Sequence, residues 1–590
     1  MKNYRQNQFD NLQKKQANKS LFDLSHEVKT QMCFGRYYPI LYEECLPGDE
    51  WTIDGEYQFR FPSTYFPIQQ IGTMRADWFY VPYKLLWQGM PGGDTAQSPQ
   101  KYGWQGFIMG ENLELPVTSL NINGTDWNGQ PLSDYYPGCS YPIENYLGFP
   151  MDKHGMLDIN KQMSIEGSAF PLSMYLFCYD EYYRNPQWEE PVFTPLQDGN
   201  NDSMFNNGVT QTINGVEYLT WERTGSGSAV VQHPPFFAYY EKDYFTTARP
   251  QPQDGDAILI PSLGIEEDGT FTPQRVYKLD GTNPSEASLG ATGPGGPGNP
   301  RYLSDAGDET PLVLETNASI KQLRIYQVLQ QFHERVIRIG KRYRGYIVGL
   351  WGNDPEPNAV DIPQLIGSHF GRIQISDTLT TADTSDSNTG NYRGNINFHN
   401  NGTTHRYYCQ DYGGLMCIIN LMPNTSYSQG IHPMWTREVN TDFALDMFSG
   451  IGDQEIKRKE LWATNFKSVW MDPDEPANAT IGYQDRFAEY KTRVNRVFNT
   501  NSIYDSFYMG QILEPADQAA YETIDVSTVM LGVSNVQIGN GIREVDIFNQ
   551  LPIKDGNSTY LDSTIYAHMY FTLKVKRCLP YFSTPGKMII

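Results

Sequence analysis

The chain has 590 residues and carries 45 Lys and Arg against 68 Asp and Glu, a formal net charge of −23 that excludes a simple cationic nucleic-acid binder. Hydrophobic residues make up 39%, with 40 Tyr, 29 Phe and 11 Trp, while 52 Gly and 38 Pro favour short strands on long irregular connections over helix bundles. No stretch approaches the roughly 20 apolar residues of a membrane span, and Met1–Asp10 has no signal-peptide core, so the expectation is a chain kept in a reducing cytoplasm, its seven scattered cysteines acting as small buried hydrophobes.

Residues 1–30 read as a polar arm, with Lys2, Arg5, Lys14, Lys15, Lys19 and Lys29 against Asp10, Asp23 and Glu27. The rest, 31–590, reads as a single domain with insertions. Phe34 to Leu46, Trp51 to Phe61 and Asp77 to Trp87 are β-prone runs separated by turn signals, and are expected to be consecutive strands of one sandwich. Between about 88 and 165 the sequence turns to Gly, Pro, Asn and Asp. Ser168 to Pro186 is then apolar enough for a buried helix, although periodicity alone leaves a strand open.

Residues 196–232 form an Asn/Gly/Thr-rich loop. The stretch 254–316 is acidic, with eleven carboxylates against Arg275, Lys278 and Arg301, and it contains Gly290-Ala-Thr-Gly-Pro-Gly-Gly-Pro-Gly-Asn-Pro300. That density of Gly and Pro excludes helix and central strand, so an exposed excursion is expected. From Ala318 to Tyr346 the sign inverts, with seven Lys and Arg against Glu334 alone. Ser319-Ile-Lys-Gln322 matches a capping box, and Ile325, Val328, Leu329, Phe332, Val336 and Ile339 then lie on one face of a helix over 319–340 that Gly340 stops. Arg335, Arg338 and Arg342 are expected together on another face. A second polar loop spans 376–404, and β-type sequence resumes at Gly414-Leu-Met-Cys-Ile-Ile-Asn-Leu-Met422 to complete the sandwich.

Signatures of catalysis are thin. There is no Walker loop, His-Glu-x-x-His, Gly-x-Ser-x-Gly or Cys-x-x-Cys, and His405 with Cys409 and Cys417 has the wrong spacing for zinc. No cofactor is expected. The rival readings are a carbohydrate-active β protein, for which Trp and Tyr platforms and acid pairs such as Glu189-Glu190 would serve, and a receptor-binding protein with acidic loops.

Two terminal segments and five internal ones carry a resemblance. The first runs Ser20-Leu-Phe-Asp-Leu-Ser-His-Glu-Val-Lys-Thr30 and on to Pro39–Asp49; its counterpart is Tyr566-Ala-His-Met-Tyr-Phe-Thr-Leu-Lys-Val-Lys-Arg-Cys-Leu-Pro580 with Ser583–Gly586. Between them stand Phe170–Pro186, Asp243–Pro250, Ala318–Arg324 with Glu334-Arg335 and Arg342-Tyr343, Gln429–Trp435, and Gly482–Lys491. In this order they resemble the major capsid proteins of the Microviridae, most closely the gokushovirus-like branch and its relatives in gut bacteria.

The resemblance implies an all-β core, an eight-stranded jelly roll with long loop insertions and a few helices, whose copies build a T=1 icosahedral shell around circular single-stranded DNA. It implies a non-enzymatic virion protein whose partners are itself, the genome, small basic DNA-binding and scaffolding phage proteins, and a host receptor. It also makes 254–316 a surface projection, with Asp254, Glu266, Glu267, Asp268, Gly295, Asp308 and Glu309 as candidates. Packaging asks for cations facing phosphate, and the candidates are Lys14, Lys15, Lys19, Arg335, Arg338 and Arg342.

Overall fold

The computed structural model describes residues 19–32, 34–60, 71–88, 103–110, 115–121, 143–148, 164–189, 191–196, 212–213, 216–217, 235–255, 277–278, 285–286, 320–373, 376–379, 381, 392–395, 397–437, 439–463, 478–498 and 565–582. The chain divides into two compact units, one comprising residues 1–250 and 342–590 and the other Gln251–Lys341.

The larger unit is built on two antiparallel sheets. We number their strands β1 (Ser20–Asp23), β2 (His26–Met32), β3 (Tyr37–Cys45), β4 (Glu50–Arg60), β5 (Gly72–Pro82), β6 (Gln364–Ile373), β7 (Asn397–Asn401), β8 (His405–Tyr408), β9 (Gly413–Pro423) and β10 (Ile565–Arg577). In the first sheet β1 and β2 lie end to end on one side of β10; β4 lies on its other side, and β7 and β8 follow end to end along β4. The second sheet has the order β6-β5-β9-β3. Counting each interrupted edge as one position, each sheet has four, and neighbours come from opposite ends of the sequence. That is the connectivity of a jelly roll.

Side-chain alternation explains why these segments close on one another. Along β10 the odd positions Ile565, Ala567, Met569, Phe571, Leu573 and Val575 are buried while Tyr566, His568 and Tyr570 point out. On β4, Trp51, Ile53, Tyr57 and Phe59 alternate in the same sense. Each large side chain buried this way contributes about 1.5–3 kcal/mol. The two inner faces meet where the Phe571 ring packs edge-on against Trp78 of β5, with centroids 5.5 Å apart, and against Tyr57 at 6.2 Å.

The middle of the second sheet is buried on both faces, with all eleven residues of β9 buried, while the edge strand β6 stays partly exposed. Its outer cover is α1 (Phe170–Cys178), extended by a π-helical turn at Tyr179–Tyr183. The open choice at 168–186 therefore resolves to helix. The helix lies so close to β9 that a Cβ placed on Gly414 would meet Met174 Sδ at 2.7 Å. The run expected to be strand as far as Trp87 leaves the sheet at Pro82, and Tyr83–Leu86 makes one helical turn. Proline at 82 removes a ladder donor, and the turn instead packs Tyr83 flat on Phe170, ring centroids 4.6 Å apart.

Four described cysteines, Cys45, Cys178, Cys409 and Cys417, are buried as expected, whereas Cys578 is exposed just past the end of β10. Among the described residues no helix is long and apolar enough to cross a membrane.

A smaller apolar cluster beside the barrel contains Tyr244, Phe245, Ile456, Leu461, Trp462 and Ile481. Glu460 is enclosed in it, accepting the Lys457 amide at 2.9 Å and the Tyr244 hydroxyl at 3.0 Å. Burial, assisted by neighbouring Glu489, pushes its pKa up to about 7 despite those bonds. A carboxyl whose folded pKa is raised stabilises the fold when protonated. That stability is fully present below about 4.5 and is lost as pH rises through about 7.

Two outcomes follow. Phe571→Ala is expected to cost about 3–5 kcal/mol of subunit stability in denaturant unfolding. Glu460→Gln is expected to unfold at a higher temperature than the parent at pH 8 and nearly the same temperature at pH 5. The difference should be on the order of 3 kcal/mol, and equal shifts at both pH values would contradict the assignment.

Candidate assembly and genome-facing surfaces

The internal sequence landmarks, far apart along the chain, meet in two places. In the first, the π-helical turn at Tyr179–Tyr183 leaves carbonyls without helical partners, and Arg342 fills the gap. Its Nη2 donates to the Asp180 carbonyl at 2.9 Å and to the Arg184 carbonyl at 2.5 Å. Asp180 accepts the amides of Val192 and Phe193 at 2.9 and 2.7 Å and pairs with Arg184 at 3.0 Å. Tyr183 donates to buried Asp77 at 2.6 Å, and Arg75 lies 2.7 Å from the same carboxylate. Burial first, and then the Asp77 charge, pushes the Tyr183 phenol far above its ordinary pKa.

In the second place, Asp243 accepts the Phe245 and Thr246 amides, both at 2.8 Å, and the Tyr427 hydroxyl at 2.8 Å. Arg249 pairs with Asp453 and, at 2.6 Å, with Asp485, while its backbone exchanges two 2.8 Å hydrogen bonds with Tyr483. The segments 243–250, 425–431 and 480–491 are thus tied into one polar and aromatic framework. These landmarks hold the architecture together through bonds between groups distant in sequence.

The candidate cations separate into distinct environments. Lys19 lies 2.7 Å from Glu50, which raises the lysine's pKa, and its ammonium sits 5.2 Å above the Tyr408 ring. Helix α2 (Ile320–Ile339) has the expected extent and ends at Gly340, whose φ of 89° only glycine adopts at little cost. Arg335 and Arg338 are exposed on it. Arg342 does not continue that face: it lies beyond the helix stop, preceding α3 (Tyr343–Trp351), and is committed to the two carbonyls above. Burial lowers its pKa. The anticipated triad is therefore a pair, because Gly340 breaks the period that would have carried it to 342.

The stripe Ile325, Val328, Leu329 and Phe332 stays exposed, and among the described side chains of this helix Ile337 is the buried one. Within the smaller unit, the Asp254 amide donates to the His333 carbonyl at 3.3 Å and the Asp254 carbonyl meets the His333 ring. Lys14, Lys15, Ser319, Glu266, Glu267, Asp268, Gly295, Asp308 and Glu309 lie outside the described residues. Of the acid pair considered for sugar chemistry, Glu189 accepts the Tyr179 hydroxyl at 3.0 Å.

Comparison with known proteins decides the family. Residues 10–96 and 148–524 match the sequence model described as Capsid protein (F protein). The chain belongs to this phage capsid protein family. It is 22% identical to Capsid protein VP1 of Chlamydia phage 1 over 644 aligned residues, covering 98% of this chain and 97% of that protein. It is 24% identical over 532 residues to Capsid protein VP1 of Bdellovibrio phage phiMH2K, covering 84% of each.

The resemblance to Microviridae major capsid proteins is thereby borne out, and the family's role is structural: its members are components of the phage virion that assemble with copies of themselves. The residue-level reading missed the exposed aromatic loop around Trp435, although Gln429–Trp435 was among the landmarks; its exposed apolar side chains were the available signal.

Arg342→Ala is expected to cost about 1.5–3 kcal/mol, because it removes two hydrogen bonds from a charged, half-buried donor. Arg335→Ala, at an exposed position, should stay within about 0.5 kcal/mol of the parent in the same thermal unfolding assay.

Proposed function

We propose that this chain is the major shell subunit of a small single-stranded DNA phage, and that copies of it close a T=1 icosahedral shell around a circular genome. The observation that carries this reading is the jelly-roll strand order in a chain whose family is that of phage capsid proteins. Such a barrel offers a rigid body whose loops can vary to make contacts between subunits.

Within that reading, Lys14, Lys15, Arg335 and Arg338 are the cations assigned to the genome. Both guanidinium groups are exposed on α2, where they can reach a phosphate, and each phosphate they neutralise releases a condensed counterion. Lys19 and Arg342 are weaker candidates because a carboxylate and two carbonyls already hold them. The acidic segment 254–316 is the proposed outward projection and receptor-facing element. Small basic DNA-binding and scaffolding proteins are the proposed assembly partners. The proposed domain organisation is a polar arm followed by one capsid domain with insertions, corrected at two places: within 1–30 the residues from Ser20 on pair in the first sheet, and within 376–404 Asn397–Asn401 supplies β7.

Expression of the chain with negative-stain microscopy tests the shell: closed particles or regular oligomers support it, and a persistent monomer opposes it. Neutralising Lys14, Lys15, Arg335 and Arg338 together should reduce DNA per particle by several-fold with shell morphology retained. Unchanged DNA content would remove these residues from the genome-facing role.

A further inference from the structure

The exposed residues around Trp435 form a surface that the barrel does not use. Between Ile431 and Ile451 the chain makes three short 3-10 turns, at Pro433–Trp435, Asn440–Asp442 and Asp446–Phe448. The turns are tied by specific bonds. His432 Nδ1 accepts the Met434 amide at 3.1 Å, Asp442 accepts the Val439 amide at 3.1 Å, and Arg486 donates to the Thr441 carbonyl at 3.1 Å. The Arg437 guanidinium stacks 4.3 Å from the Tyr490 ring and 5.4 Å from Phe443, with Glu489 at 3.4 Å.

A loop held this firmly nevertheless turns its large apolar side chains outward. Trp435 is 68% exposed, Phe443 52%, Met447 90%, Ile451 61%, Tyr490 47% and Phe498 72%. Large side chains bring roughly 150–250 Å² each, so these six present on the order of 800 Å². Within it Trp435 and Phe498 line one cavity, and Phe443 and Tyr490 flank one guanidinium, that of Arg437. The summed area equals what one partner contributes to a standard interface, about 800 Å². The cavity that Trp435 and Phe498 rim is mainly apolar, about 260 Å³, and reaches down to Tyr244 and Glu460, room for a side chain from outside.

We infer that this surface, 433–451 with Tyr490 and Phe498, is an inter-subunit contact that docks a second copy of this chain. The inference rests on the capsid reading, which supplies identical copies at high local concentration. The area supplies the energy: exposed Trp435 and Tyr490, with Arg437, Arg486 and Arg493 in the same segments, are of the residue types enriched at binding hot spots. Aspartate at an exposed position leaves the monomer's packing untouched but forces a desolvated charge into the contact, so its effect falls on assembly.

Trp435→Asp and Met447→Asp are compared with the parent by sedimentation and microscopy, alongside thermal unfolding of the free subunits. The expected result is unfolding within a few degrees of the parent and at least a tenfold loss of assembled shells. Shells at the parental yield would overturn the inference while leaving the capsid reading intact; a parent that forms no oligomer would sink the capsid reading itself.

A second measurement is independent of how the aspartate variants fold. Met447→Cys in a Cys578→Ser background is treated with maleimide in shells made from this chain alone and in dissociated subunits. At least tenfold slower labelling in the shells is expected, and equal labelling rates would overturn the contact.

Discussion

The structure depends on where one strand goes. Ile565–Arg577 enters the first sheet between the N-terminal pair Ser20–Asp23 and His26–Met32 on one side and Glu50–Arg60 on the other. Its period-2 alternation leaves a single usable register, since a slip of one residue would put Phe571 and Leu573 in water and Tyr566 and His568 in the core. More than 500 residues separate the paired partners, yet loop-closure cost grows only with the logarithm of length. Insertions of any size are therefore tolerated between the strands, provided this one strand still returns.

The end of that strand is locked by charge. Asp49, fully buried in the turn after β3, receives Arg577 at 2.8 Å and the Leu46 amide at 3.0 Å, and the guanidinium lies 5.2 Å from the Trp51 ring. Removing either partner would strand a buried charge, which costs more than the pair itself contributes. The same logic recurs on β5 at Asp77 with Tyr183 and Arg75, and outside the sheets at Asp180 with Arg184 and at Arg249 with Asp453 and Asp485. These bonds align irregular segments that apolar packing alone would leave free to slide. For a shell subunit that matters because a misplaced loop prevents closure, and the proposed contact surface lies on loops.

Much of this was legible in the residues. Alternation and turn residues marked β3, β4 and β9, the capping pattern and Gly340 marked α2, and the terminal segments marked two strands of one barrel. The strand run to Trp87 was overextended because Tyr83–Leu86 is as apolar as a strand, and only Phe170 packing against Tyr83 selects the helical turn. The choice at 168–186 stayed open for a related reason: α1 is buried nearly all round, so its sequence has no polar face to report a period.

Charge was the least legible property. A basic residue looks the same in sequence whether it faces solvent or a carbonyl, so Arg335, Arg338 and Arg342 formed one group until Gly340 and the π-helical turn separated them. Likewise the residue types of Trp435 and Met447 do not tell core from surface, and their place on a surface loop makes them exposed. The sequence by itself determined the β class and the family, because these follow from local periodicity and ordered motifs. Tertiary structure alone decided which of those side chains meet, since partners hundreds of residues apart are brought together only when the last strand closes the first sheet.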